Sequence, residues 1–534
     1  MDDVLAPPVP PTAQPHAVED RGRLPLRRWE LPTLIGIVTV FVGVAAYLVA
    51  QGSPLIWDEA VYALRARDFV AGDAPGAYWI AVRAPGLPLM ITPLLALGAG
   101  DQMLRLGVLA LATVGVGLTW VEGRLLFGRH VAPIAAALVA LTPAWLVGGW
   151  QILPDVPGAT LTMACVVLFT WATQGDRVSW GVMLVPAIAV AATVVRFGAP
   201  LLIGPALTML ALIRWQVVRR SLVLVGGAGL STILGILAVL LVPPLTGKSQ
   251  APLSILLGRQ TPKQVPFLDR LGALGDEIPV LLGGFVGAMI LLGLVAAGIG
   301  LAKRQLPMAP VMGCVAVAVV TTGMLALGIA HHHVRYFAPV VPFLALGGAS
   351  GLAWLAGVLP RRAAAALAVV IAVSGIGVTV GNASVEATPS DRDLARMTAA
   401  TNLGNVAIAP CVLLTNNLNN AWYSGCESIM FPANRVRVNG EVRLTGIDDP
   451  HRILLTLERI AERAGEGDSR IYVVLSQPAA RREPIRAARR TITRLAERVA
   501  ISAPYGESAS ADIYDLGLAD QLLNKTRRLL QQSG

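Results

Sequence analysis

Charge is scarce in this chain. Only 14% of its 534 residues are Asp, Glu, Lys or Arg, where soluble domains carry roughly 25%. Hydrophobic residues make up 54%, and the mean hydropathy is +0.63. The composition therefore excludes a wholly soluble protein and gives a polytopic membrane protein with a soluble part attached. No small-residue cleavage site follows the first apolar run, which Arg27-Arg28 precede, so that run reads as an anchor and not a cleaved signal. No nucleotide-binding glycine loop is evident on the side read as cytoplasmic, and no internal repeat is evident. The net charge of +10 is not a nucleic-acid signature, because the basic residues sit in short clusters between apolar runs. That is the pattern of topogenic signals.

Runs long enough to span a bilayer, about 17–25 residues, fall near 31–50, 103–121, 131–150, 155–173, 180–195, 198–213, 222–243, 280–301, 308–330, 338–358 and 363–381. With a cytoplasmic N-terminus, Arg21, Arg23, Arg27, Arg28, Arg124, Arg129, Arg177, Arg214, Arg219, Arg220, Lys303, Arg304, Arg361 and Arg362 all lie on one side. The positive-inside rule asks for this. Fusing 180–213 into one span breaks the alternation, so eleven spans are read. The expected fold is a polytopic α-helical membrane protein of the plasma membrane with about 11 transmembrane helices and a C-terminal extracytoplasmic α/β domain. Residues 1–29 form a Pro-rich, disordered cytoplasmic segment; 30–381 form the membrane domain, with a first extracytoplasmic loop at 51–102; 382–534 form the soluble domain.

Beyond about residue 382, charges become frequent and apolar runs shorten. Val406–Leu414, Ile471–Leu475 and Ile513–Leu516 read as strands, and His451–Ala464 and Ala479–Val499 as helices. Cys411 and Cys426 read as a disulfide outside the cytoplasm, with two buried thiols as the alternative. Cys165 and Cys314 lie in spans and read as packing residues. Trp422-Tyr423 read first as core packing, with stacking on a sugar as the alternative.

Topology accounts for the inside charges and leaves others to explain. Asp58, Glu59, Arg83, Asp155, Arg196, Lys248, Arg259, Lys263, His331, His332, His333 and Arg335 all fall on the opposite face. An acidic pair at the mouth of a membrane helix, beside a basic proline-containing loop, points to a charged lipid headgroup meeting a catalytic carboxylate. The alternative is that Asp58 and Glu59 cap a helix over 60–70. Asp155, between Pro154 and Pro157, heads a span, where capping and function can coexist. Arg196 interrupts an apolar stretch and needs an anion, either a phosphate or Asp155.

Five segments together resemble a known family. They are Trp57-Asp58-Glu59-Ala60 with Tyr62; Arg83-Ala84-Pro85-Gly86-Leu87-Pro88; Leu153-Pro154-Asp155-Val156-Pro157; Val195-Arg196-Phe197; and Arg335-Tyr336-Phe337-Ala338-Pro339. In order and spacing, over roughly residues 30–380, they look like the GT-C superfamily of membrane glycosyltransferases. Within it the resemblance is to the dolichyl-phosphate-mannose–protein mannosyltransferase group, which includes the lipid A aminoarabinose transferases. The resemblance implies transfer of a sugar from a polyprenyl-phosphate donor to a glycan, lipid or protein acceptor, with inversion, on the extracytoplasmic face. It implies a catalytic acid in the first outer loop, matched here by Asp58 with Glu59 beside it, and a second acid at Asp155. Aminoarabinose transferases carry Glu-Lys-Pro where this chain has Arg83-Ala84-Pro85, which argues against aminoarabinose as the sugar.

On this reading Asp58 is the base, Glu59 and Asp155 complete the catalytic set, and Arg335 with Arg196 and Arg83 holds the leaving phosphate. Arg suits phosphate through its planar fork. Tyr62, Tyr336, His333 and Lys263 complete the substrate-binding set. The three consecutive histidines point in different directions and make a poor metal site. Metal dependence is left open: a divalent cation (Mg, Mn or Ca), where used, would sit on Asp58, Glu59 or Asp155. Loop 244–279 reads as a cover over the donor or as a passive connector. Membrane lipids are partners and nucleic acid is not. The rival readings are a flippase for lipid-linked saccharides and a non-catalytic envelope scaffold.

Overall fold

The computed structural model describes residues 27–73, 83–241, 267–327, 334–360, 377, 391–407, 411–415, 422–424, 426–430, 435–438, 441–444, 450–464, 469–476, 490–505 and 509–533. The membrane part is a helix bundle. Its elements are α1 (Glu30–Ala50), α2 (Trp57–Ala71), α3 (Gly86–Ala96), α4 (Asp101–Phe127), α5 (Val131–Leu141), α6 (Pro143–Leu146), α7 (Asp155–Ala172), α8 (Val185–Val195), α9 (Pro200–Ile213), α10 (Trp215–Arg219), α11 (Leu222–Leu241), α12 (Phe267–Leu282), α13 (Gly284–Ala302), α14 (Met308–Ala326) and α15 (Val341–Val358). Six helical segments are long and apolar enough to cross a membrane: Glu30–Ala50, Asp101–Phe127, Asp155–Ala172, Leu222–Leu241, Gly284–Ala302 and Phe337–Val358. The chain is thus a multi-pass membrane protein. The flank of α11 shows why hydropathy reports it so clearly: Leu222, Val223, Leu230, Ile233 and Leu234 all face outward. A bilayer is the solvent that such a face requires.

The helices depart from the expected runs where proline intervenes. The run 131–150 breaks at Thr142, which is extended (ψ 135°), and restarts as the short α6. Pro143 follows, and the residue before a proline is driven out of the helical region. The run 180–195 begins as a 3₁₀ turn at Trp180–Leu184 before α8 takes over. Between α8 and α9 the chain is extended at Arg196 (φ −148°, ψ 111°), so 180–213 is two segments. Loop 51–102 holds α2 and α3, and the connector 244–279 contains most of α12. The expected span 363–381 lies outside the described residues, apart from Gly377.

Small residues bring α13 and α15 into backbone contact. A Cβ on Gly351 would run into the carbonyl oxygen of Gly293. Close approach of this kind is how membrane helices gain packing without a hydrophobic driving force between them. At one end of the bundle Glu30 of α1 meets Arg124 of α4 at 3.3 Å. The other end of α4 carries Asp101 and Arg105, beside the loop that follows α1.

The first described element of the C-terminal part is α16 (Asp391–Val406). Its strands are β1 (Cys411–Thr415), β2 (Glu427–Met430), β3 (Arg435–Val438), β4 (Glu441–Leu444), β5 (Arg470–Ser476), β6 (Arg498–Tyr505) and β7 (Ala509–Leu518), with α17 (Pro450–Ala464) and α18 (Ala519–Ser533). Five strands form one sheet in the order β2-β1-β5-β7-β6. β1 runs parallel to β2 and β5, while β7 is antiparallel to β5 and β6. α17 and α18 cover one face, burying Ile453, Leu457, Ile460 and Leu522 against Val412, Ile471 and Val473. Two expectations are corrected. Val406 ends α16 and starts no strand, and the helix expected to reach Val499 gives way to β6 at Arg498. Apolar alternation in Val499, Ile501 and Ala503 pairs with β7, where the ladder satisfies the backbone.

Candidate functional site

Five segments of the membrane part converge at the Asp58 end of the bundle. The loop Ser53–Ile56 leads into α2, where Glu59 performs the capping job: its Oε2 accepts from Ile56 N at 2.9 Å. Both Glu59 oxygens are taken. Arg105 donates from Nε to Oε1 at 3.1 Å and from Nη2 to Oε2 at 2.7 Å, and Ile152 N donates to Oε1 at 2.9 Å. Arg105 also reaches the carbonyls of Ser53 and Pro54. Glu59 and Arg105 are almost fully buried, at 0% and 1% side-chain exposure. A buried ion pair is tolerable only with hydrogen bonds as complete as these. Of the readings open for Glu59, its geometry displays the hydrogen-bonded, helix-capping one. Glu59 is a brace that fixes the loop, α4 and the Ile152 segment together, and it offers no oxygen to a substrate or an ion.

Asp58, its neighbour, points into a different setting. It pairs with Arg83 through Nη2 to Oδ1 at 2.8 Å and keeps 23% side-chain exposure. Arg83 also lies over the Tyr62 ring, 5.7 Å from its centroid, near the outer limit for a cation–π contact. Beyond Ile152, Pro154 turns the chain and α7 starts at Asp155. The Asp155 Oδ1 lies 2.9 Å from Arg196 Nη2. Of the two anions considered for Arg196, the structure supplies Asp155. Gly158, one turn into α7, makes room: a Cβ there would come within 3.0 Å of the Arg196 side chain.

The two acid–arginine pairs are drawn together by backbone contact. Gly86 opens α3 against the end of α8, and a Cβ on it would lie 2.7 Å from the backbone of Val194 and Val195. Ala84, next to Arg83, packs in one cluster with Phe197, next to Arg196. The Arg83 turn and the Arg196 break are thus a single packed unit. Beneath it, Leu55, Val61, Leu64, Leu87, Ile91 and Leu104 form a separate small core.

Arg335 and Tyr336 lie on a 3₁₀ turn (Val334–Val340) packed against α7, the helix that Asp155 begins. Their side chains, and all of Lys263 and His333, lie outside the described residues. Among the described residues no group of three or more His, Cys, Asp or Glu stands close enough to hold a metal ion. Asp58, Glu59 and Asp155 are each paired with a different arginine.

Sequence reasoning missed Arg105, although a guanidinium one turn inside an apolar run is a signal that demands a partner. It also missed Asp101 and the contact of Tyr423. Tyr423 Oη accepts from Leu55 N at 2.9 Å and donates to Asp101 Oδ2 at 3.1 Å. Burial pushes its phenol pKa well above the ordinary value, so the hydroxyl stays protonated and able to donate. Trp422 packs on the Leu55 core, as the core-packing reading has it. Cys411 and Cys426 form a disulfide.

The profile of the family described as dolichyl-phosphate-mannose-protein mannosyltransferase matches residues 82–256. Among curated proteins nothing matches. The fold is similar to ArnT from Cupriavidus metallidurans bound to undecaprenyl phosphate, with a TM-score of 0.60 at 14% identity, covering 90% of this chain and 97% of that one. The apo form of ArnT gives 0.58 at 15% identity, covering 91% and 99%. The apo oligosaccharyltransferase of Archaeoglobus fulgidus gives 0.52 at 13% identity, covering 84% and 70%. The chain carries the GT-C fold.

Proposed function

We propose that the protein is a membrane glycosyltransferase that moves a sugar from a polyprenyl-phosphate donor to an acceptor hydroxyl, with inversion, at the outer face of the plasma membrane. One observation supports this most directly: two carboxylate–arginine pairs, Asp58–Arg83 and Asp155–Arg196, sit on one packed unit where the lipid-facing bundle meets a folded outer loop. A phosphate-linked donor needs cations for the leaving phosphate and a carboxylate for the incoming hydroxyl. Both are present in reach of one another. The family profile over 82–256 and the likeness to a fold holding undecaprenyl phosphate support the same class.

In the reaction, the acceptor oxygen attacks the anomeric carbon from the side opposite the phosphate. The bond from that carbon to the phosphate oxygen breaks, and its electron pair leaves on the phosphate. Asp58 takes the hydroxyl proton. Arg83 is shared between Asp58 and the donor: a phosphate that claims its guanidinium releases a carboxylate oxygen toward the acceptor. Arg196 is oriented by Asp155 and adds the second cation. The site lies at the end of the bundle opposite the Glu30–Arg124 pair, and the positive-inside pattern puts that end outside the cytoplasm.

The test is sugar transfer from a panel of radiolabelled polyprenyl-phosphate sugars by purified wild type and Asp58→Asn. Transfer by wild type and its loss in a folded variant supports the class and the base. Equal transfer by both moves the base to another group. No transfer from any donor, with acceptors varied, returns weight to a flippase or scaffold.

A further inference from the structure

We propose that Tyr423, carried by the soluble domain, is a positioning residue for the loop that presents Asp58, so that the soluble domain completes the site. The inference rests on the reading of Asp58 as the base. The tyrosine hydroxyl stands between two parts of the membrane domain. It accepts from the amide of Leu55, three residues before Asp58, and donates to Asp101, the first residue of α4. One turn further along α4, Arg105 grips the Ser53 and Pro54 carbonyls of the same loop and both oxygens of Glu59. The Asp58 loop is therefore held from within by Arg105 and from outside by Tyr423, with Asp101 and Arg105 on the same helix end.

Tyr423 is itself firmly backed. The Cys411–Cys426 disulfide ties its turn to β1 of the five-stranded sheet. Gly404 of α16 lies against the turn, where a Cβ would come within 3.2 Å of the Tyr423 carbonyl oxygen and 3.0 Å of that of Ser424. Trp422 packs on the Leu55 core alongside. A hydroxyl presented by such a support transmits the position of the soluble domain to the loop. Because it satisfies a buried donor and a carboxylate at once, its loss leaves both without it.

The experiment compares full-length wild type, Tyr423→Phe and, as a control for lost hydroxyls elsewhere in the domain, Tyr472→Phe. Amide hydrogen exchange of peptides covering Ser53–Ala60 is read beside kcat and KM for the donor. Removing a hydrogen bond of about 1 kcal/mol corresponds to roughly a fivefold change. The expected result is exchange at Leu55 faster by about fivefold or more, kcat lower by a similar factor, donor KM unchanged, and the control like wild type. Unchanged exchange overturns the proposal, as does faster exchange with unchanged kcat. If wild type transfers no sugar at all, the assignment of Asp58 fails. Exchange then judges Tyr423 alone: faster exchange keeps it as the anchor of the loop, and unchanged exchange removes it.

Discussion

Asp58 and Glu59 share a peptide bond and belong to two different regions. Glu59 reaches into a closed pocket where Arg105, Ile56 and Ile152 satisfy both its oxygens, and its side chain is 0% exposed. Asp58 faces the open side, with a hydrogen bond from Arg83 and 23% exposure. The same type of ion pair serves opposite ends in the two regions. In the closed one, desolvation is offset by complete hydrogen bonding, so the pair is committed and fixes the frame. In the open one, the pair keeps an exposed edge, where water or, on the proposed reading, a donor phosphate can compete with Asp58 for Arg83. A rigid acid beside a replaceable one is what a site needs when it must hold still and also react.

Substitutions that exchange these roles test the contrast. The largest effect is expected for Asp58→Asn. Transfer falls about 10²–10⁴-fold, while Asn keeps an oxygen for Arg83 and the stability cost stays at about 1–3 kcal/mol; initial rates and thermal melts of the same sample measure both. Glu59→Gln reverses the pattern. It leaves Arg105 buried without its counter-charge and costs about 3–5 kcal/mol, read as a large drop in melting temperature. If Glu59→Gln melts like wild type and loses only activity, the division between brace and reactive acid collapses. Gly86→Ala comes next. Its Cβ meets the backbone of Val194 and Val195 at 2.7 Å, where no side chain can give way. The strain is about 1–3 kcal/mol, and displacement of the Arg83 turn from Arg196 lowers transfer with it. Arg527→Ala is the smallest change. Its pairs with Glu458 and Glu462 are solvent-exposed, and neither the melt nor the rate is expected to move.

Much of the membrane part was legible in the chain, because hydropathy and the sign of loop charges are local properties. The run breaking at Thr142 could be read only with attention to Pro143, whose effect reaches one residue back. The site was legible in part. Asp58, Arg83, Asp155 and Arg196 stood out as outer-face charges without a topological reason, and the structure gathers them into two pairs. What the chain hid is that Glu59 belongs to Arg105 and Asp58 to Arg83. Glu59 stood beside Asp58 in the catalytic set because adjacent residues share a sequence context, yet on a helix they point about 100° apart. Arg105 passed unnoticed inside an apolar run. Tyr423 could not be found at all, since its partners lie 368 and 322 residues away and no local pattern records such a contact.

That separation also sets an order in time. The loop ahead of Asp58 emerges early in synthesis, and α4, which supplies Arg105 and Asp101, follows soon after. The hydroxyl that closes over them waits until nearly four-fifths of the chain exists, and until the sheet around it has formed and its cysteines have paired. Contacts this distant along a chain are closed late. A half-made copy is therefore expected to hold its acids in a looser frame until the Tyr423 turn is in place.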